Sequence, residues 1–319
     1  MRIRPGSSRT TPTAHWRTLW EELLYSPILL LARIAHDACT PRPLALIKQD
    51  DPQTEPSPER ARIVCISDTH SRQAQLPSLP PGDVLIHAGD LTNSGTRREL
   101  NAAFAWLHAA PHPHKIVIAG NHDFGLARRG IRDALLAEYP SITYLKDTLT
   151  TIEVRGRLLS VYGSPYTPWH EGGEFSYNQS RAPRVWKIPP LIDILVTHGP
   201  PKYHLDSRGG KGCEYLLRAV EETRPLLHVF GHLHSGRGVK CVAWDEGQHK
   251  YEAVSFGKGR NALGALWLVA AALGTMVRGR PKFSPGGHTM FVNASSQGWF
   301  KDPAWRGATV VDIPLSHRS

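Results

Sequence analysis

The chain has 319 residues, 40% of them hydrophobic and 21% charged, proportions ordinary for a globular protein that exclude a fibrous or low-complexity one. Its formal net charge of +10 suits an anionic partner such as a phosphate ester, but it is equally compatible with a basic surface that has no such partner. The four cysteines are scattered, without metal-binding or disulfide-dense spacing, which indicates a reducing compartment such as the cytoplasm.

The first sixty residues are predicted to form an extension outside the folded domain. Residues Met1–Trp16 are rich in Arg, Ser, Thr and Pro, which predicts disorder, with an organelle transit peptide as the alternative. Residues Trp16–Ala38 predict an amphipathic helix interrupted near Pro27. Its apolar part is shorter than the ~20 residues of a membrane span, so it packs on the domain or lies on a membrane surface. Residues Asp50–Arg60 have the composition of a linker.

From residue 61 onward, short apolar strands alternate with helices. Strands are predicted at Arg62–Ser67, Val84–Ala88, Lys115–Ala119, Thr148–Val154, Leu158–Tyr162, Leu191–Thr197, Leu226–Phe230, Val239–Trp244, Met290–Ala294 and Ala308–Ile313. Helices are predicted at Arg97–His108, Leu126–Tyr139, Glu214–Thr223 and the uncharged segment Ala262–Val277. This alternation indicates a mostly parallel sheet covered by helices. The segment Pro165–Pro190 is predicted to be a long functional loop.

Side chains that can bind metals or transfer protons follow five of these strands. They are Asp68 and His70, Asp90, Asn121 and His122, His198, and His232 and His234. One such residue after a strand is usually a turn or cap residue, but five occurrences in chain order indicate a ligand set. The mixture of imidazole, carboxylate and amide groups suits Mn²⁺, Fe or Zn²⁺. The sequence therefore predicts a two-cation site at the carboxyl ends of the strands.

Two neighbouring cations can activate a bridging hydroxide, which predicts attack on a phosphoester. The leaving oxygen then needs a proton, and a histidine that is not a ligand can supply it. His122, next to Asn121, is predicted to be that acid.

The motifs resemble the signature of the calcineurin-like metallophosphoesterase superfamily, which runs D-x-H, G-D, G-N-H-[DE], G-H and G-H-x-H. The chain is most similar to the small metallophosphoesterase-domain proteins with class III phosphodiesterase character, from about Arg62 to Ile313. The resemblance implies a four-layer α/β/β/α sandwich over residues 61–319, with residues 1–60 as the N-terminal helical extension. It also implies hydrolysis of phosphodiesters or phosphomonoesters, with nucleotides as one candidate substrate class. The sequence itself has no basic stripe interleaved with aromatic residues, so no specific binding of nucleic acid is expected.

The resemblance assigns the ligands to two divalent or trivalent metal ions. One ion would be held by Asp68, His70 and His234, the other by Asn121, His198 and His232, with Asp90 bridging. One departure concerns Asn93, because many members of the superfamily have an acidic residue there that orients the histidine equivalent to His122. An amide cannot stabilise a protonated imidazole by charge. A catalytically weak scaffold that binds metal or nucleotide is therefore the alternative function.

Other polar residues are given plainer interpretations. His87 lies within a strand and is predicted to be a buried core histidine, whereas His112 is predicted to lie in a surface turn. The segment from Lys202 to Asp206 either lines the rim of the pocket or is a solvated loop.

Overall fold

The computed structural model describes residues 26–40, 58–168, 173–207, 210–257, 261–298 and 305–315. The predicted disordered segment 1–16 and most of the predicted linker 50–60 lie outside these residues. The chain divides into two compact units, one made of residues 41–243 and 282–319 and the other of residues 1–40 and 244–281.

The larger unit is built on β-sheets. The helices among the described residues are α1 (Pro27–Cys39), α2 (Arg97–Ala109), α3 (Arg129–Glu138), α4 (Ala182–Val185), α5 (Glu214–Thr223), α6 (Glu246–Phe256) and α7 (Ala262–Arg278). The strands are β1 (Arg60–Ile66), β2 (Val84–Ala88), β3 (His114–Ile118), β4 (Ile142–Tyr144), β5 (Thr148–Val154), β6 (Arg157–Ser164), β7 (Thr167–Pro168), β8 (Ser176–Tyr177), β9 (Ile194–Thr197), β10 (Leu227–Phe230), β11 (Gly238–Ala243), β12 (His288–Asn293) and β13 (Thr309–Pro314). Among the described residues, the first sheet has the order β13-β1-β2-β3-β4 and the second the order β11-β12-β10-β9-β6-β5.

The two sheets pack face to face, and helices cover the outer face of the first sheet. Strands β1, β2 and β3 are parallel neighbours with almost continuous apolar burial, as expected for strands covered on both faces. Side chains alternate between these faces. Ile86 packs with Val196 and Val229 of the second sheet, whereas Leu85 packs with Phe104 of α2. The predicted α/β/β/α fold class is confirmed.

Several local predictions differ from the structure. The helix predicted at Leu126–Tyr139 is a 3-10 turn at Phe124–Ala127 followed by α3, because the backbone of Arg128 between them is extended. The segment 165–190 is not a structureless loop, since it contains β7, β8 and α4. His112 is buried rather than at the surface, because its Nε2 bonds to the Pro80 carbonyl at 2.9 Å. Helix α6 was not predicted.

The smaller unit contains α1, α6 and α7. Helix α1 begins at Pro27 because the hydroxyl of Ser26 accepts a hydrogen bond from the Leu29 N–H at 3.3 Å, and proline suits the first helical position. The part of the predicted N-terminal helix before residue 26 lies outside the described residues.

Small side chains allow these helices to pack together. Ala32 and Ala35 of α1 lie in one apolar cluster with Val254 of α6 and with Ala265 and Leu268 of α7. The helix predicted at 262–277 is confirmed as α7, in a unit that it shares with α1. The domain boundary predicted between residues 60 and 61 stays a prediction. None of the described helices combines the length and apolar character needed to cross a bilayer.

Candidate metal centre

The predicted ligand residues follow the carboxyl ends of β1, β2, β3, β9 and β10. Four of them have a left-handed backbone, with φ of 55° at Asp68, 43° at His70, 54° at Asp90 and 65° at His232. Residues other than glycine adopt this conformation rarely, and it persists only where the surrounding structure enforces it. The chain therefore bends sharply at these strand ends, which turns short polar segments towards one another.

Asp68, His70 and His234 come together as the first predicted set. Their ligand atoms all lie within 4.8 Å of one another, and His234 Nε2 is 3.3 Å from Asp68 Oδ1. The N–H of His232 donates to both carboxylate oxygens of Asp68 at 3.1 Å. This main-chain contact fixes the Asp68 carboxylate relative to the loop that follows β10.

The second predicted set also comes together. The ligand atoms of Asp90, His198 and His232 lie within 4.8 Å of one another. His198 Nε2 is 3.3 Å from Asp90 Oδ2 and 3.0 Å from Asn121 Oδ1. His198 Nδ1 donates to the Ala88 carbonyl at 2.8 Å, so Nε2 is the atom that faces these oxygens. Asp90 Oδ2 is also 3.8 Å from Nε2 of His70, which places Asp90 between the two sets.

These donors fit bound cations. The Nε2 of His70 is buried and has no hydrogen-bond partner among the described residues, although buried polar atoms normally have one. A cation held with Asp68 and His234 would satisfy this nitrogen. The convergence of imidazole nitrogens with carboxylate and amide oxygens suits the binding of divalent metal ions.

The electrostatics of the cluster keep its carboxylates ionised. Burial alone would raise the pKa of Asp90, but the neighbouring His198 lowers it to about 2. Burial likewise opposes ionisation of Asp68, yet His234, His198 and His70 hold its pKa well below the usual range. Burial lowers the pKa of His198, whereas Asp90 raises it to about 9. A cation that binds His198 must therefore displace a proton.

His122 lies at the edge of the same cluster. Its Nδ1 donates to the main-chain carbonyl of Asn93 at 2.8 Å, so its Nε2 is left for the site. Its N–H donates to Asp90 Oδ1 at 2.9 Å. The side-chain amide of Asn93 donates instead to the His70 carbonyl at 2.9 Å. The group that orients His122 is therefore a main-chain carbonyl and not the Asn93 side chain.

Asp123 has a positioning role that the sequence analysis did not assign. Its buried carboxylate accepts the N–H groups of Leu91, Thr92 and Gly120 at 2.9–3.1 Å and the Thr92 hydroxyl at 2.7 Å. Burial and the charge of Asp90 raise the pKa of Asp123 to about 6. This side chain joins the loops that carry Asp90 and Asn121. The sequence signal for this role is that Asp123 is the acidic residue that ends the G-N-H-[DE] motif.

Two glycines allow the loops to approach this closely. A Cβ on Gly120 would collide with Asp90 Oδ1, and a Cβ on Gly231 would collide with Asp68 Oδ2. The glycines of the G-N-H and G-H-x-H motifs are thus required by packing against the carboxylates.

The remaining polar candidates lie outside this cluster. His87 is buried and bonds to Thr69 Oγ1 at 3.0 Å, which confirms it as a core histidine. Asp206 is not a rim residue, because it is buried and accepts the N–H groups of Tyr203 and Gly212 at 2.9 and 2.8 Å. Its carboxylate closes its own loop.

Comparison with known proteins gives matches to a family model and to individual proteins. Residues 61–236 match the family model described as calcineurin-like phosphoesterase. Human metallophosphoesterase domain-containing protein 1 is 40% identical over 206 residues, 57% of this chain and 63% of that protein. UPF0046 protein C25E10.12 of Caenorhabditis elegans is 38% identical over 226 residues, 62% of this chain and 76% of that protein.

A longer alignment is with a much larger protein. Probable rhamnogalacturonate lyase C of Emericella nidulans is 43% identical over 263 residues, which are 79% of this chain but only 24% of that protein. The chain thus spans about a quarter of this relative and less than two thirds of the human one.

Proposed function

Because the chain belongs to the calcineurin-like phosphoesterase family, we propose that it is a metal-dependent hydrolase of phosphodiesters or phosphomonoesters. Family membership and the candidate metal-binding residues support metal-dependent phosphoester hydrolysis in general. The observation that carries the proposal is the meeting of carboxylate and imidazole groups from different strand ends, with Asp90 within reach of both His70 and His198.

The proposed ligands divide into two sets that share one carboxylate. One cation would be held by Asp68, His70 and His234, the other by Asn121, His198 and His232, with Asp90 common to both. Two such ions, of Mn, Fe or Zn, would supply a hydroxide nucleophile at neutral pH and offset the charge of the phosphoryl group. The main-chain contacts of Asp68 and His198 hold these donors in position before a cation binds, which lowers the cost of assembling the site.

His122 is proposed as the general acid. The Asn93 carbonyl fixes its Nδ1 as a donor, so Nε2 is the nitrogen that could protonate a leaving oxygen. The partner of Nδ1 among the described residues is this carbonyl, so the orienting group contributes a dipole in place of a full charge. This feature favours a second candidate function, that of a weakly catalytic scaffold that binds metal or nucleotide.

The net charge of +10 supports an anionic substrate, and a nucleotide is the class that we propose. Hydrolysis of bis-p-nitrophenyl phosphate and p-nitrophenyl phosphate by the metal-free protein is to be measured before and after addition of Mn²⁺. Activity should depend on Mn²⁺ and fall by at least ~100-fold in Asp90→Asn, because the shared carboxylate is lost.

The matched control is His108→Ala, which removes an exposed imidazole that bonds to Ser141. It should leave turnover unchanged. If wild type and Asp90→Asn are equally inactive although calorimetry shows that wild type binds Mn²⁺, the scaffold function replaces the enzymatic one.

A further inference from the structure

Helix α7 has an unusually apolar exposed face. Leu263, Leu273 and Val277 are 81%, 59% and 87% exposed, and Leu266 and Met276 are exposed as well. These positions recur at the three- and four-residue spacing of one helical face. The apolar face of α7 consists of Leu263, Leu266, Trp267, Leu273, Met276 and Val277.

Packing among the described residues of the smaller unit, 26–40, 244–257 and 261–281, does not explain this face. The buried residues of α7 are Gly264, Ala265 and Leu268, which lie on the side that packs with α1 and α6. Helix α1 adds two exposed apolar side chains of its own, Leu31 and Ile34. Large exposed apolar patches generally mark a surface that binds a protein or a membrane.

The charges around the face distinguish between these partners. Helix α7 contains no acidic residue, whereas Arg278 ends it and Arg280 follows two residues later. Arg280 Nη1 donates to the Asp37 carbonyl at 2.8 Å, so it also holds the end of α1, while Arg278 is exposed. Cations beside an apolar helical face are the arrangement that binds anionic lipid.

We propose that the apolar face of α7 binds the surface of a membrane that contains anionic phospholipid. The helix has 17 residues, so it would lie in the plane of the interface with Leu263, Leu273 and Val277 among the acyl chains. Trp267 is an amphipathic ring of the kind enriched at that depth. A second copy of the chain is a poorer partner, because it carries the same net charge of +10, whereas anionic lipid is attracted.

Vesicle sedimentation of the full chain tests this proposal. Wild type should sediment with vesicles of phosphatidylcholine and phosphatidylserine, and much less with vesicles of phosphatidylcholine alone. Leu273→Asp should weaken binding by at least ~10-fold, since one leucine no longer enters the apolar layer. Arg278→Gln should weaken it by about 5-fold on the anionic vesicles only.

The matched control is Leu158→Asp, which places the same charge at a 71% exposed leucine of β6. This variant should bind vesicles as wild type does. Equal losses in Leu158→Asp and Leu273→Asp would overturn the proposal, as would failure of wild type to bind anionic vesicles. Sedimentation equilibrium of the same proteins without lipid would show whether Leu273→Asp dissociates a dimer. If wild type binds no vesicles and forms a dimer that Leu273→Asp dissociates, the face is an interface between copies and the proposal is wrong.

Discussion

Gly231 lies so close to the loop that carries Asp68 that adding a methyl group at Gly231 tests the geometry of the metal centre. A Cβ built on Gly231 lies 2.7 Å from Ser67 Cβ, about 0.7 Å short of the 3.4 Å at which ordinary contact begins, and it also overlaps Asp68 Oδ2. Metal–ligand distances tolerate shifts of only about 0.2 Å. Gly231→Ala should therefore displace Asp68 far enough to weaken its cation by about 10- to 100-fold.

Calorimetric titration with Mn²⁺ measures this loss, and urea unfolding separates it from general destabilisation. Overpacking at Gly231 should cost about 1–3 kcal/mol in the free energy of unfolding. Gly130→Ala is the matched control, because a Cβ there meets nothing within 4 Å. It should leave Mn²⁺ affinity unchanged and stabilise α3 by about 0.5–1 kcal/mol. Equal Mn²⁺ affinity in the two variants would refute the reasoning.

Three further predictions test separate parts of the structure. His122→Ala should lower kcat by about 100-fold for esters with alkoxide leaving groups, which need a proton, and little for p-nitrophenyl esters, which do not. Equal losses on both esters would show that His122 is not the general acid. Burial raises the pKa of Asp206 to about 6, above the ~3.9 of an unfolded chain. The folded state therefore holds this proton more tightly than the unfolded chain does. The free energy of unfolding should fall by about 3 kcal/mol as pH rises from about 4 to 6. Asp206→Asn should remove this part of the pH dependence in urea unfolding and leave the part due to Asp123, whose pKa is also raised to about 6, and an unchanged pH slope would contradict the prediction. Asp312→Ala should cost about 3–5 kcal/mol, because it leaves the buried Arg62 without the carboxylate 3.1 Å away; a loss below 1 kcal/mol would exclude this account.

The strands that carry the candidate site could be predicted because the apolar run of each strand and the polar residues that follow it indicate the same strand end. Apolar runs such as Val84–Ala88 end abruptly in residues that bind metals or form turns, and the structure reproduces that strand without shift. Side chains that follow parallel strands must meet at one sheet edge. The convergence of Asp68, Asp90 and Asn121, which follow three neighbouring parallel strands of the first sheet, could therefore be expected. Their meeting with His198 could not, because His198 follows a strand of the second sheet and the contact depends on how the two sheets pack.

Features that depend on main-chain groups or on distant partners could not be predicted. Every residue has a carbonyl, so nothing in the sequence identifies that of Asn93 as the partner of His122. The burial of His112 depends on the Pro80 carbonyl, which lies 32 residues away. Helix α6 was missed because buried polar residues, Gln248 and Glu252 among them, interrupt its apolar periodicity.

The order of strands in the two sheets limits how the chain can be shortened. The family match ends at residue 236, yet β1 pairs with β13 and β10 pairs with β12, both of which come later. A fragment cut at that point would leave the two strands that precede Asp68 and His232 with rows of unpaired N–H and C=O groups. Such open edges are templates for aggregation. Any fragment used to study the metal centre therefore has to extend through Pro314.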